Sequence, residues 1–448
     1  MSDLIVSKYG GSSITCAEDV ERIRKISSDD SQRKIIVLSA PGISPANKND
    51  KTCKKITDLA IKYSETRDPE IIPIMSRIYN KIYPDVSTME FNREIGEFAQ
   101  ADLSKKAFED FFKAYAGERE NARNLARKLD ADFVDATELF LVSSDYGEAK
   151  ILPKSEKMIQ KRLGKVKRLT VVPGFYGITK QGNIATFERG GSDLTGAYIA
   201  ASLEAKLYEN FTDSAVRTAN PEIVSPIIPA KINDLTFSEL RDLSYSGFGI
   251  FHSESILPLE EKGILTHIRN TFEYPNEGTF VVSERICDRK KPIIGIAYQN
   301  GFVSFDIRKT GLNDMLGIGH DLLGKLKERK IPYEIMPGVV DNISIMINQK
   351  KLERHDPHYI LNDFKKLLGH SKIDFQYNLG LLVVAGKGLK GNRGMAADIL
   401  STLAKAEVNI KAISQGSDES CIMYGIDNND RAKAMNSLFD KYSYLKED

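Results

Sequence analysis

Ala185-Thr186-Phe187-Glu188-Arg189-Gly190-Gly191-Ser192-Asp193-Leu194-Thr195 reads as the end of a buried strand, two glycines and the start of a helix. The strand is expected over 182–187. From Ser192 or Asp193 onward, Leu194, Ala197, Tyr198, Ala201 and Ala205 recur at spacings of three and four, the apolar stripe of an amphipathic helix. Paired glycines let backbone come close to a ligand, and a helix N-terminus offers free N–H groups and a partial positive charge. With Arg189 before the turn and Asp193 after it, the segment suits an anionic small molecule. It equally suits a plain strand-to-helix turn capped by Ser192 or Asp193.

A second unit of this kind opens the chain. Residues 4–9 form an apolar strand, Gly10-Gly11-Ser12-Ser13 follows, and Val20, Ile23 and Ile26 mark one face of a helix. Lys8 stands where the first unit has an arginine. Close-approaching N–H groups with a mobile cation beside them are what phosphate binding needs. The spacing is neither that of a P-loop nor that of a dinucleotide fold. A glycine turn with an exposed lysine is the plainer alternative.

Between these units, 34–40 is a fully apolar strand, as in a parallel sheet covered on both faces. It runs into Ser39-Ala40-Pro41-Gly42, at the carboxyl edge where open α/β sheets bind ligands. Thr57 lies near an expected helix start. Residues 60–130 read as mostly helical, with Gly117-Glu118 inside a charged run expected to face solvent. Further strands are expected at 133–135, 169–175, 208–213, 265–271 and 278–282, with a hairpin turn at Lys180-Gln181-Gly182 and a helix over 238–246. This alternation predicts an α/β sandwich over residues 1–285. A charged linker at 284–292 marks a boundary. Beyond it, 293–375 reads strand, helix, strand, strand, helix, and 376–448 repeats the order. Two small ferredoxin-like modules are therefore expected.

Bulk properties narrow the function classes. A chain of 448 residues exceeds one ordinary domain. It is 41% apolar and 28% charged, with a net charge of +1, which argues against a dedicated nucleic-acid binder. No apolar run has the length of a membrane span, and the N-terminus enters a strand at once without a signal peptide. Cys16, Cys53, Cys287 and Cys421 match no zinc or redox spacing, as free thiols in a reducing cytoplasm would not. The six histidines also lack paired ligand spacing, so no transition-metal site is expected.

Taken together, Lys8-Tyr9-Gly10-Gly11-Ser12-Ser13, Ser39-Ala40, Gly117-Glu118, Arg189-Gly190-Gly191-Ser192-Asp193 and Thr212-Asp213, in this order, resemble the aspartate kinases of the amino-acid kinase superfamily. The tail resembles their tandem ACT domains, most clearly at Gly386-Lys387-Gly388-Leu389-Lys390-Gly391 and Ile413-Ser414-Gln415-Gly416-Ser417-Asp418-Glu419. No homoserine dehydrogenase follows the ACT pair, so a monofunctional enzyme is expected. The resemblance implies transfer of the γ-phosphoryl group of ATP to the side-chain carboxylate of L-aspartate, giving 4-phospho-L-aspartate. That reaction opens the route to lysine, threonine and methionine.

The resemblance also assigns residues. Lys8 would neutralise phosphate oxygens, held by Asp193, with Gly10, Gly11 and Ser12 as the cradle. Arg189 and Ser192 would clamp the substrate α-carboxylate, Glu118 its ammonium, and Ser39 and Thr57 would line the pocket. Thr212 and Asp213 would meet the nucleotide, and Mg2+ would bridge the ATP phosphates. Met315, Gly317, Gly319, Asp341 and Ser344 occupy effector positions for lysine or threonine. Relatives bind lysine or threonine there, though Pro337-Gly338 stands where many have a serine or threonine. The ACT pair implies feedback inhibition and a homodimer or homotetramer. In some relatives the second module is inserted into the first in space, so a cut at 376 is sequential only. Two departures concern ATP: Asn220-Pro221-Glu222 replaces an Asp-Pro-Arg, and Gly249 stands where many members carry a lysine. They motivate one alternative, a non-catalytic amino-acid sensor; a superfamily relative acting on another acid, such as glutamate, is a second.

Overall fold

A computed structural model describes residues 2–47, 55–98, 103–188, 190–245, 251, 253–352, 356–369 and 371–447. The chain divides into two compact units that do not follow chain order. The first comprises Met1–Val216, Asn233–Phe237 and Gly249–Arg285; the second comprises Arg217–Ile232, Ser238–Phe248 and Ile286–Asp448.

In the first unit, β1 (Ser2–Tyr9), β2 (Arg33–Leu38), β3 (Asp132–Phe133), β4 (Leu141–Val142), β5 (Thr170–Pro173) and β6 (Tyr176–Thr179) come first. They are followed by β7 (Ile184–Thr186), β8 (Ala205–Thr212), β9 (Asp234–Thr236), β10 (Thr266–Asn270) and β11 (Thr279–Val282). One eight-stranded sheet has the order β3-β5-β2-β1-β8-β10-β11-β9, and β4, β6 and β7 form a small second sheet. Pairing is parallel from β3 to β10, and β11 runs antiparallel to β10. Central strands of a parallel sheet have no wet face, so Val6 and Tyr9 of β1 and Ile35 to Leu38 of β2 are fully buried.

The buried charges of β1 and β8, Lys8 and Glu209, are both paired, as buried ions must be. Ser7 of β1 is in register with Glu209 of β8, and Lys8 with Asn210. Alternation sends Glu209 and Lys8 to opposite faces. Glu209 accepts from Arg33 at 2.6 and 2.9 Å, from Ser7 at 2.8 Å and from Arg269 at 3.3 Å. Burial opposes its charge, but the Arg33 hydrogen bonds and charge outweigh it and hold the carboxyl below its ordinary value.

On the Lys8 face lies the helix Gly191–Ser202. Its buried face matches the expected stripe only in part: Ala197 and Ala201 are buried as expected. Ala205 already belongs to β8, and Leu194 and Tyr198 are only half-buried beside a cavity of about 380 Å³. Apart from Ile199, the buried residues are small ones, including Ser192, Thr195, Gly196 and Ala200. A Cβ at Gly196 would stand 2.8 Å from the Tyr208 ring and 3.2 Å from Cβ of Lys8. Only a helix bare at that point can lie this low on the sheet.

The second unit holds β12 (Gly295–Arg308), β13 (Gly338–Val339), β14 (Asn342–Asn348), β15 (Lys372–Ala385), β16 (Ile410–Gln415) and β17 (Cys421–Asp427). They form one six-stranded sheet in the order β13-β14-β12-β15-β17-β16. The two expected modules are present as two apolar cores, but both draw on the same two long strands. Val303, Phe305 and Ile307 of β12 and Ile373 of β15 join one core; Ile296 and Tyr298 of β12 and Leu382 and Val384 of β15 join the other. In space, therefore, 302–375 is inserted into a module made of both flanks, the reverse of the nesting the sequence reading allowed for. Ala219 and Val224 complete the outer core.

Candidate active site

Lys8 stands one residue before the end of β1, at the carboxyl edge of the sheet, with β2 on one side and β8 on the other. Its chain crosses under the start of the Gly191–Ser202 helix, and Nζ lies 2.6 Å from Oδ1 of Asp193. Both side chains are largely buried, at 9% and 14% exposure. Asn210 donates to the same oxygen at 2.9 Å. An ammonium so placed is fixed in position.

The loop after Lys8 is shaped by contact with the loop after β2. Gly42 N–H donates to Gly11 O at 2.8 Å, and a Cβ at Gly11 would come within 2.5 Å of Ala40 O. Backbone cannot yield as a flexible side chain can, so glycine is required at that position. The Gly10 N–H is committed to Phe211 O at 3.0 Å, so it is not available as one of the phosphate donors the sequence reading assigned it. A Cβ at Gly10 would lie 3.7 Å from Nζ of Lys8, in ordinary van der Waals contact. Ser12 is half-buried in the following 3-10 turn Gly11–Ser13.

Glu118 departs most from expectation. Its charged run is not all solvated: Glu118, Glu120 and Arg123 are buried, and Arg123 pairs with Glu120 and Glu94. Glu118 sits in a π-helical turn, Ala114–Arg119, whose wider winding frees carbonyls that the Tyr79 hydroxyl meets at Ala116 (2.6 Å) and Gly117 (2.9 Å). A Cβ on Gly117 would lie 3.0 Å from that of Ala40, and Asn121 donates to Ser39 O at 2.8 Å. The turn is thus pinned to the Ser39–Ala40 loop. Burial pushes the Glu118 carboxyl up to about 8, against the pull of its own and Ala40 N–H groups and of Lys113. Its Oε2 is buried and unpartnered. A buried carboxylate with an open lone pair is a place for a cation.

The remaining residues line the same edge. Gly190, at φ +86°, is the N-cap of the Asp193 helix. Gly174 follows β5, and a Cβ on it would reach within 2.8 Å of Ser192 Oγ. Thr212 ends β8 with its carbonyl taken by Thr271, and Asp213 beside it is exposed. Thr57 is half-buried in the first turn of the helix Ile56–Thr66. Arg189, Gly249 and Cys53 lie outside the described residues. Sequence reasoning missed Asn210, Gly174 and Gly196, although Gly174, like Gly42, stands in a Pro-Gly pair, a local turn signal.

In the second unit, Gly317 caps the helix Ile318–Glu328 at φ +76°, with Gly319 in its first turn and half-buried Met315 packed on the inner core. Asp341 accepts the Gly311 N–H at 2.7 Å. Ser344 donates to Asp306 at 2.7 Å, as does Ser304 at 2.9 Å, so Asp306 joins this group although its sequence context gave no sign of it.

The amino acid kinase family matches residues 3–270 and an ACT domain matches 382–442. Aspartokinase 3 of Bacillus subtilis is 33% identical over 98% of both chains. The crystal structure of Clostridium acetobutylicum aspartate kinase, described as an allosteric enzyme, superposes with a TM-score of 0.79 at 30% identity, covering 98% of this chain and 99% of that one. The fold is also that of E. coli aspartokinase III, solved with aspartate and ADP, at a TM-score of 0.81 and 20% identity over 98% and 99% of the two chains. No helix among the described residues is long and apolar enough to cross a membrane.

Proposed function

The chain belongs to the amino acid kinase family, as an ATP-dependent aspartate kinase under allosteric control through its ACT region, and on that premise we propose how its residues work. The acceptor is the side-chain carboxylate of L-aspartate, and the product is 4-phospho-L-aspartate. A carboxylate is ionised at neutral pH and needs no general base. Catalysis then rests on aligning two anions and stabilising charge on the transferring group.

The observation that carries this reading is the buried Lys8–Asp193 pair beside the bare backbone of Gly10. A charged ammonium held rigidly at a glycine-lined edge meets charge that grows on phosphate oxygens without having to reorganise. It also favours a catalyst over a sensor, because a sensor has no use for a braced lysine there. Glu118, with its open oxygen, receives the substrate ammonium. Ser39, Thr57 and Ser192, with Arg189, surround the rest of the acid. Gly11 and Ser12 face the phosphates, and Thr212 and Asp213 the nucleoside. Bound magnesium would supply neutralising charge at the phosphates that Lys8, Gly11 and Ser12 face.

Regulation is proposed to act through lysine or threonine at the Met315, Gly317, Gly319, Asp341 and Ser344 group. A homodimer or homotetramer is proposed from the open edges of the six-stranded sheet, where β16 leaves Ile413 44% exposed. The test is a hydroxamate assay with ATP and magnesium, offering aspartate or glutamate and then adding lysine or threonine. Aspartoyl hydroxamate, suppressed by an effector, is expected. Turnover of glutamate alone would replace the substrate, and no acyl phosphate from either acid would remove the assignment.

A further inference from the structure

We infer that Asn210 is a positioning residue for phosphoryl transfer, fixing the orientation of the Asp193–Lys8 pair. This rests on the kinase reading above but concerns a residue that reading does not need. Asn210 stands on β8 as the register partner of Lys8, so the two side chains leave the sheet side by side on one face. Both converge on a single atom, Oδ1 of Asp193, Lys8 at 2.6 Å and the Asn210 amide at 2.9 Å.

The second donor matters because of what Asp193 would do without it. A carboxylate gripped only by a flexible lysine can rotate with it, and the ammonium then has no fixed point to work from. The amide belongs to a strand at the sheet centre and does not move. Two residues earlier on the same face, Tyr208 reaches the Asp193 carbonyl at 3.4 Å, and its ring meets the bare Gly196. β8 therefore locates the first helical turn at backbone and at side chain alike.

Asn210 is 1% exposed, and its Oδ1 is buried without a partner. A leucine would fill the same space without that cost. Keeping a half-satisfied amide at the centre of a parallel sheet is a stability sacrifice of the kind found where function requires it. The amide also has a property no carboxylate shares, for it donates to Asp193 without adding charge.

The test uses Asn210→Leu and Asn210→Asp in the full-length enzyme. Asn210→Leu should lower kcat roughly 10- to 100-fold with little change in the KM values. In Asn210→Asp two carboxylates lie within hydrogen-bond reach and cannot both stay ionised cheaply. When one takes a proton, its O–H replaces the amide donor. The kcat of Asn210→Asp relative to wild type should therefore climb as pH falls from about 8 to about 6, a recovery Asn210→Leu cannot show. A role in folding alone would leave both kcat ratios independent of pH. If both variants keep kcat within about twofold of wild type, or if Asn210→Asp shows no acid recovery, the assignment is overturned. Wild-type turnover of aspartate is measured alongside and judges the substrate separately. Should no acid be phosphorylated, reductive methylation of Lys8, read by mass spectrometry, decides: an unchanged labelling rate across all three proteins overturns the proposal, and faster labelling in Asn210→Leu upholds it.

Discussion

Gly196 and Lys8 are in van der Waals register across the helix–sheet interface: the Cβ that Gly196 lacks would stand 3.2 Å from Cβ of Lys8. The height of the helix above the sheet, and so the reach from Asp193 to Nζ, is set by a missing methyl group. Gly196→Ala favours the helix intrinsically by about 1 kcal/mol, yet it drives the new carbon into the Tyr208 ring at 2.8 Å. We expect a net loss of about 1–3 kcal/mol and a fall in kcat, because the helix must lift. Thermal unfolding and steady-state kinetics check both; a stabilised, fully active variant would contradict the packing argument.

Lys8→Met removes the cation and leaves Asp193 with a single donor. A drop in kcat of about 10²–10³ is expected, the usual loss for one preorganised group aimed at developing charge. Effector binding, measured by calorimetry, should persist. Activity near wild type would refute the role given to Lys8.

Glu118 makes stability and substrate binding depend on pH in opposite senses. Its folded value of about 8 lies above the ordinary carboxyl value of 4.5. The contribution to stability is therefore complete below the unfolded value and is lost as pH rises through about 8. Glu118→Gln should flatten this dependence and stabilise the ligand-free protein near neutral pH by roughly 2–3 kcal/mol. The same variant should bind aspartate more weakly. In the wild type, aspartate should bind more tightly as pH approaches 8 from below, with release of up to about one proton per site. Calorimetry in buffers of different ionisation heat measures that release, and a count of zero would separate Glu118 from the substrate ammonium.

Asp306 gathers the hydroxyls of Ser304 and Ser344 on two neighbouring strands. Asp306→Asn keeps the shape and removes the charge. The lysine or threonine concentration for half-inhibition should rise about tenfold, a charge-assisted hydrogen bond being worth about 1.5–3 kcal/mol. Inhibition curves of the two proteins decide it, and superposable curves would exclude Asp306 from effector response.

What could be read beforehand was whatever lies close together along the chain. Strands at β1, β2 and β8, the glycine turns behind Lys8 and before Asp193, and the doubled C-terminal pattern all announce themselves by local period and composition. Glu118 did not, because a π turn looks like any other stretch of charged helix until Ala40 is seen against it. Asn210 was invisible for a similar reason, its meaning residing in a partner on another strand. Gly196 reads as an ordinary helical glycine, and Ala205 was misplaced in the helix because small inward residues leave no stripe. The shared length of β12 and β15 was hidden too, since a strand serving two cores has the pattern of a strand serving one.

That sharing bears on how the protein is made. The inner core, 302–375, is contiguous, and its folding brings Phe302 beside Leu379. Closing a loop of that size from a loose chain would cost roughly 4 kcal/mol, and the folded insert supplies the closure in advance. The outer core has a longer wait. The Ala230 N–H and the Thr218 hydroxyl both donate to the Leu445 carbonyl, near the far end of the sequence. While the ribosome works through everything between, Ala219 and Val224 have no core to enter. During synthesis this is an apolar strip in water, where a chaperone or a neighbouring nascent chain meets the protein first.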